Sequence, residues 1–221
     1  SLLDEGIGKP RETVRSVLFN ENEVTVVTFE QIDPFYVIDV SNVKEPVITQ
    51  SIEISGFSLY QHTWTTDIVL GIGFEVTNNR TTGIKLALYD KRSDLSIIGE
   101  PLILSNQENS YQFSEALYNR KAMLFDIERG FFGFTVYKSF WDEYQYSQVV
   151  EYLIFGVNLD SGTPITIKKA IDHDFTGSDD YYHNIDRAVY VDNHLFVLSG
   201  LGVTVHDINQ DFIEVDQILF A

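Results

Sequence analysis

An all-β fold is what this sequence predicts, and three observations predict it. Phe and Tyr are abundant, 16 and 12 in a chain of 221 residues, and aromatic and β-branched side chains suit the pleated, half-buried surface of a strand. No stretch keeps a 3.6-residue apolar period bounded by caps, so no long helix is expected. One order of short elements recurs four times, the mark of a repeat architecture. Short strands at regular spacing predict a sandwich, a barrel or a propeller. Fourfold recurrence of a four-stranded unit selects a β-propeller with antiparallel blades, a double sandwich being the alternative.

The elements follow in order through one domain, 1–221. The first blade, about 12–55, reads "TVRSVLFN", "EVTVVTFEQ", "PFYVIDVS" and "PVITQSIEIS". The second, about 56–106, reads "LYQHTWTT", "DIVLGIGFEV", "GIKLALYD" and "LSIIGEPLIL". The third, about 110–171, reads "FSEALYN", "GFFGFTVYK", "VVEYLIFGVNL" and "PITIKKAI". The fourth, about 181–221, reads "IDRAVYV", "HLFVLSG", "GVTVHDI" and "FIEVDQILF". Second and third strands are near-continuous apolar runs, as in strands buried on both faces. First and fourth strands alternate, as half-exposed strands do. Four blades sit at the small end of the range for a closed ring. The chain therefore closes on four blades, forms part of a larger ring, or pairs with missing blades or a second copy.

Composition narrows the partners. The formal net charge of −18 repels nucleic acid and anionic membrane surfaces. No apolar run approaches the length of a membrane span, so no membrane insertion is expected. Cysteine is absent, which excludes disulfides, thiolate metal sites and a Cys nucleophile. The opening "SLLDEGIGKPRETV" has no initiator Met and no signal-peptide core, and reads as the start of a processed or cut piece.

Several stretches in order, "VRSVLFNENEVTVVTFEQIDPFYVIDVSNVKEP", "GFSLYQHTWTTDIVLGIGFE", "SEALYNRKAMLFDIERGFFGF" and "DRAVYVDNHLFVLSGLGVTVHDIN", carry a resemblance. The chain resembles the beta-propeller domain found at the C-terminus of a family of secreted bacterial and archaeal proteins, distantly related to WD-repeat propellers. The resemblance covers nearly the whole chain. It implies export and an extracellular or cell-surface location, and that the chain is the C-terminal part of a larger domain. It implies no reaction.

The insert "DHDFTGSDDYYHN" at 172–184 departs from that pattern. Asp172, Asp174, Thr176 and Asp180 place oxygens at relative positions 1, 3, 5 and 9. Gly177 at position 6 permits a sharp bend, and Ser178 offers its carbonyl at position 7. Calcium takes six to eight hard oxygen ligands, which such a loop can converge. His183 stands where an EF-hand has its bidentate Glu, so the loop resembles instead the short calcium loops of integrin alpha-subunit propellers. A structural calcium is the expectation, against a plain polar turn built of ordinary turn residues. His173 and His183 flank the loop and read as solvated loop residues.

No G-x-S-x-G elbow and no helical H-x-x-x-H pair is present. Ser114 beside Glu115 falls in an expected strand and reads as a packed surface pair. The aromatic, acidic stretch "YKSFWDEYQYSQ" at 137–148 lies between two strands. Trp141, Tyr144 and Tyr146 would make a binding patch there for a protein or a polysaccharide, since aromatics are enriched at interface anchors. The sequence thus points to a non-catalytic binding module. A hydrolase acting on polysaccharide or peptide in a central pocket is the alternative.

Overall fold

The computed structural model describes residues 7, 12–29, 33–106, 110–141, 145–173, 175 and 184–220. These form four antiparallel sheets, each a meander in chain order, and the fold is an all-β propeller of four blades. Two compact units divide the chain, Ser1–Ser105 with Leu159–Pro164, and Asn106–Asn158 with Ile165–Ala221.

The first unit holds blades 1 and 2. Blade 1 is β1 (Thr13–Asn20), β2 (Glu23–Phe29), β3 (Asp33–Asp39) and β4 (Val47–Ile54). Blade 2 is β5 (Phe57–Thr63), β6 (Ile68–Thr77), β7 (Arg80–Asp90), and a fourth strand in two pieces, β8 (Ser96–Ile97) and β9 (Leu102–Ser105), both paired to β7. Asn78 and Asn79 join β6 to β7 with φ of 51° and 60°, the positive values a twist-matched two-residue hairpin turn requires. Leu70, Ile72, Ile84, Leu86 and Leu88 on one face and Val69, Ala87 and Tyr89 on the other are at most 1% exposed, so the apolar runs of β6 and β7 bury both faces.

Blade 1 meets blade 2 through Val27, Phe35, Val37 and Ile54 against Val69, Ala87, Tyr89 and Leu95. A buried polar chain runs through this contact. Thr25 donates to Gln61 Oε1 at 2.6 Å, Gln61 Nε2 donates to Ser16 Oγ at 2.9 Å, and Ser16 donates to the Ser58 carbonyl at 2.8 Å. The Lys91 ammonium, on a side chain only 6% exposed, pairs with Glu23 of blade 1. The Thr25, Gln61, Ser16 and Lys91 side chains each have a partner, as burial demands.

The second unit holds blades 3 and 4. Blade 3 opens with a first strand in two pieces, β10 (Ser110–Phe113) and β11 (Met123–Asp126), both paired to β12 (Phe131–Trp141). It continues with β13 (Tyr146–Val157) and β14 (Ile165–Ile171). Blade 4 is β15 (Ile185–Val191), β16 (His194–Ser199), β17 (Gly202–Asp207) and β18 (Ile213–Leu219). The two meet through Phe131, Tyr152, Ile154 and Ile171 against Ile185, Leu195, Val197 and Phe212. Blades 2 and 3 share one device, a tyrosine laid over a glycine of the second strand. A Cβ on Gly71 would stand 2.7 Å from Tyr89, and one on Gly133 would stand 2.8 Å from Tyr152.

The expected strand "FSEALYN" is strand only at Phe113; a 3-10 turn, Glu115–Leu117, fills its middle and a second, Arg120–Ala122, follows it. Ser114 and Asn119 cap them, their side chains accepting from the Ala116 and Lys121 amides. Small polar residues at such caps satisfy amides that the turn leaves free. Ser114 also donates to the Thr135 carbonyl at 2.6 Å. It is a structural cap with no free hydroxyl proton, not a surface residue beside Glu115.

Candidate binding site

β12 and β13 form a hairpin of eleven- and twelve-residue strands, paired from Phe131↔Gly156 out to Trp141↔Tyr146. Residues directly opposite share a face. The register aligns Phe113, Tyr137 and Val150 in one row, Tyr111, Ser139 and Gln148 in the next, and Trp141 with Tyr146 in the last. One face therefore gathers Tyr111, Phe113, Tyr137, Trp141 and Tyr146, because the outer half of β12 places an aromatic or hydroxyl residue at every second position, Thr135, Tyr137, Ser139 and Trp141.

The rings are open to solvent. Trp141 is 50% exposed, Tyr146 54% and Tyr111 41%. The Trp141 and Tyr146 centroids lie 5.7 Å apart, Phe113 stacks on Tyr118 at 6.2 Å and touches Tyr137 at 6.2 Å. The Ser139 and Tyr146 hydroxyls are hydrogen-bonded at 3.1 Å, which fixes the Tyr146 ring. Burial raises the phenol pKa of Tyr137, and the carboxylates of Asp186 and Glu115 add to it. Burial likewise raises that of Tyr111. Both present neutral O–H groups at neutral pH. At the edge, Arg187 grips both Glu115 oxygens at 2.9 and 3.1 Å, and this pair holds the Glu115 carboxyl below its ordinary pKa.

Of the three aromatic residues expected to form a patch, Trp141 and Tyr146 stand together on this face, and Tyr144 lies outside the described residues. Tyr111, Phe113 and Tyr118 join them from chain positions that no local pattern connects to the hairpin. Of the expected calcium ligands, Asp172 is exposed. Asp174, Thr176, Ser178 and Asp180 lie outside the described residues, as does His183. Among the described residues no group of three or more His, Asp or Glu side chains could hold a metal.

His173 corrects its expectation. It is 6% exposed, packed on Phe175 at 4.8 Å, with Nε2 2.9 Å from the Thr204 hydroxyl. The same hydroxyl lies 2.8 Å from His206 Nε2, and His206 Nδ1 lies 3.2 Å from the Phe212 carbonyl. A carbonyl only accepts, so Nδ1 of His206 carries the proton and its Nε2 accepts from Thr204. Thr204 has one proton to give, so His173 Nε2 must donate to it.

Burial lowers the His206 pKa against the Phe212 carbonyl and Glu214, which pull it up. The unfolded chain therefore takes up a proton at this imidazole before the folded chain does. Stability from this site is full above about pH 6.5 and is lost as the pH falls from there toward the lowered folded value. We expect the melting temperature to fall as the pH drops below about 6.5, and the His206 imidazole to titrate by NMR below its ordinary 6.5. A midpoint at or above that value would overturn the assignment.

The first unit carries a concavity that sequence reading missed. A cleft of about 380 Å³ is lined by Glu21, Glu23, Asp39, Asp67 and Lys91, among others. Its carboxylates come from the β1–β2 turn, the start of β2, the end of β3 and the β5–β6 turn. Acidic residues recurring at strand ends in both blades were the available signal. The Ser41 amide holds the Asp39 carboxyl below its ordinary pKa, so Asp39 offers the cleft an anion and no proton.

Fold and surfaces together define a β-propeller that presents an aromatic face on one blade. The chain belongs to the beta propeller domain family, whose model matches residues 3–210. An uncharacterised protein of Archaeoglobus fulgidus is 31% identical over 198 residues, which cover 90% of this chain and 26% of that protein. One from Methanocaldococcus jannaschii is 23% identical over 198 residues, covering 90% and 27%. The chain thus spans about a quarter of the length of the curated relatives it matches. Among solved structures, MPT-4, a mannose phosphorylase from Leishmania mexicana in complex with phosphate ion, covers 97% of this chain and 91% of its own. Its TM-score is 0.30 at 11% identity, too low to bear on fold or function. No helix among the described residues is long and apolar enough to cross a membrane.

Proposed function

We propose that this propeller is a non-catalytic binding module of an exported protein, acting at the cell surface or outside the cell. The aromatic face of blade 3 carries the reading. Large aromatic rings half open to water, one of them pinned by a hydroxyl pair, lose little conformational freedom when a ligand stacks on them. Neutral phenols and hydroxyls beside them supply hydrogen bonds to a protein or polysaccharide ligand. The Glu115 and Asp39 carboxyls both have lowered pKa values, whereas a hydrolytic general acid needs a raised one. Neither of these two carboxyls suits that role.

The double substitution Trp141→Ala, Tyr146→Ala tests the site. Retardation in native gels cast with soluble neutral polysaccharides, and binding to cell-surface protein extracts, should be weakened about tenfold or more by loss of two anchors. The melting temperature should change little, because both side chains are half exposed. Undiminished binding by the double variant would sink the proposal. A structural calcium at Asp172, Asp174, Thr176, Ser178 and Asp180 would fit an extracellular setting. A bound ion stabilises by mass action, so calcium added after EDTA should raise the melting temperature of the native chain and not of an Asp172→Ala, Asp174→Ala variant. Equal melts in both would leave the stretch a polar turn.

A further inference from the structure

Within each unit, the register shows which face of a blade meets the one before it and which meets the one after. The first strands β1, β5 and β15 each carry a bulge at the same place, after Val14, Ser58 and Ile185. Aligned on that bulge, Val14, Val17 and Phe19 of β1 correspond to Ser58, Gln61 and Thr63 of β5 and to Ile185, Ala188 and Tyr190 of β15. Ser58 and Gln61 bond to blade 1, and Ile185 and Ala188 pack on blade 3. These positions therefore form the leading face of a blade. In blade 1 the three are 60%, 44% and 77% exposed. They rim a small separate cluster of Val24, Val26 and Ile38.

The trailing face of blade 4 mirrors this. Its rows Val189–Phe196–Val205 and Leu198–Val203–Ile218 correspond to the rows of blade 1 that cover blade 2, Leu18–Thr25–Val37 and Val27–Phe35. There Val27, Phe35 and Val37 are at most 1% exposed. In blade 4 Val189 is 51% and Ile218 55% exposed, and Phe196, Leu198 and Val203 are only half-buried. A terminal repeat that ends an array needs a polar outer face, whereas these rows are apolar except at Arg187 and Asp216, which lie on their two edge strands.

We infer that these two faces are docking surfaces for a further blade, and that in the isolated chain a second copy supplies it, head to tail. Both faces continue the pattern of blade contacts already formed within each unit. A leading face of the kind that packs on blades 1 and 3 meets a trailing face of the kind that covers blades 2 and 4. Leading and trailing faces are different patches, so the contact is heterologous. This surface is separate from the aromatic face, and the inference stands or falls apart from the binding reading.

Sedimentation of the native chain tests it. The mass should exceed the monomer's 25.3 kDa and climb with concentration between about 1 and 200 µM, by mass action. Phe19→Glu breaks the leading face and Val189→Glu the trailing one. Each variant alone should be monomeric with its melting temperature kept, since both side chains lie largely in solvent. Mixed, the two should form one heterodimer of twice the monomer mass, because each retains the face the other lacks. A native chain that stays monomeric throughout, including one whose two faces become cross-linked to each other within a single chain, overturns the inference. So do single variants that still associate, or a mixture that stays monomeric.

Discussion

Gly73→Ala is expected to unfold or severely weaken blade 2, although it adds a single methyl. A Cβ at Gly73 would lie 1.7 Å from the Phe57 carbonyl oxygen and 2.7 Å from Ser58 Cα. Both are backbone atoms of the paired strand β5, so no rotamer change can relieve the contact. The bulge between Ser58 and Tyr60 brings β5 close at this row, and a bulge of this kind is where a strand needs glycine. Alanine must push β5 outward, and β5 carries the contact with blade 1. Overpacking of this kind costs about 3 kcal/mol or more, or about 6–12 °C in melting temperature for a chain of this size. Gly162→Ala is the control, because nothing lies within 4 Å of its added Cβ. It should be neutral or slightly stabilising through the unfolded state. Equal melting temperatures for the two variants would show that β5 does not approach β6 as described.

That crowding also shows where the sequence could be read and where it could not. Strands such as β1 and β15 follow from local chemistry: turn residues bound them, and β-branched or aromatic residues fill them. The fourth strand of blade 2 read as one run from Leu95 to Leu104. The chain breaks it at Gly99–Pro101, where Gly99 takes a φ of 58° and the Glu100 amide donates to the Gly162 carbonyl at 2.8 Å. Gly-Glu-Pro was a legible break, but its partner at Gly162 belongs to a distant segment. "FSEALYN" alternates like a strand, and only the capping chemistry of Ser114 and Asn119 betrays turns.

The candidate site divides the same way. Trp141 and Tyr146 could be found locally, because their stretch is aromatic and lies between strands. Tyr111 and Phe113 join them only through the β10–β12 register, and spacing along the chain does not encode that. His173 looked solvated because its sequence neighbours are acidic. Its burial is decided by Thr204 on another blade.

Gln61→Leu is expected to cost about 3 kcal/mol, nearly as much as the glycine change, by the opposite mechanism. The volume is close to unchanged and the apolar area grows, so packing alone favours leucine. What is lost is a partner on each side. The Thr25 hydroxyl, buried at 2% exposure, gives its proton to Gln61 Oε1 at 2.6 Å. Ser16 Oγ accepts from Gln61 Nε2 at 2.9 Å and passes its own proton to the Ser58 carbonyl. With leucine in place, the buried Thr25 donor loses its acceptor, and desolvating a hydroxyl without a partner costs about 1–3 kcal/mol. The loss should read as a fall of about 6–12 °C in melting temperature. Removing the stranded donor as well separates this account from a simple packing defect. Thr25→Val added to Gln61→Leu should recover much of the loss, since replacing both partners of a buried hydrogen bond by apolar groups of similar shape is close to neutral. A double variant that melts at the sum of the two single losses would mean that Gln61 and Thr25 act independently, and that shape alone joins blade 1 to blade 2.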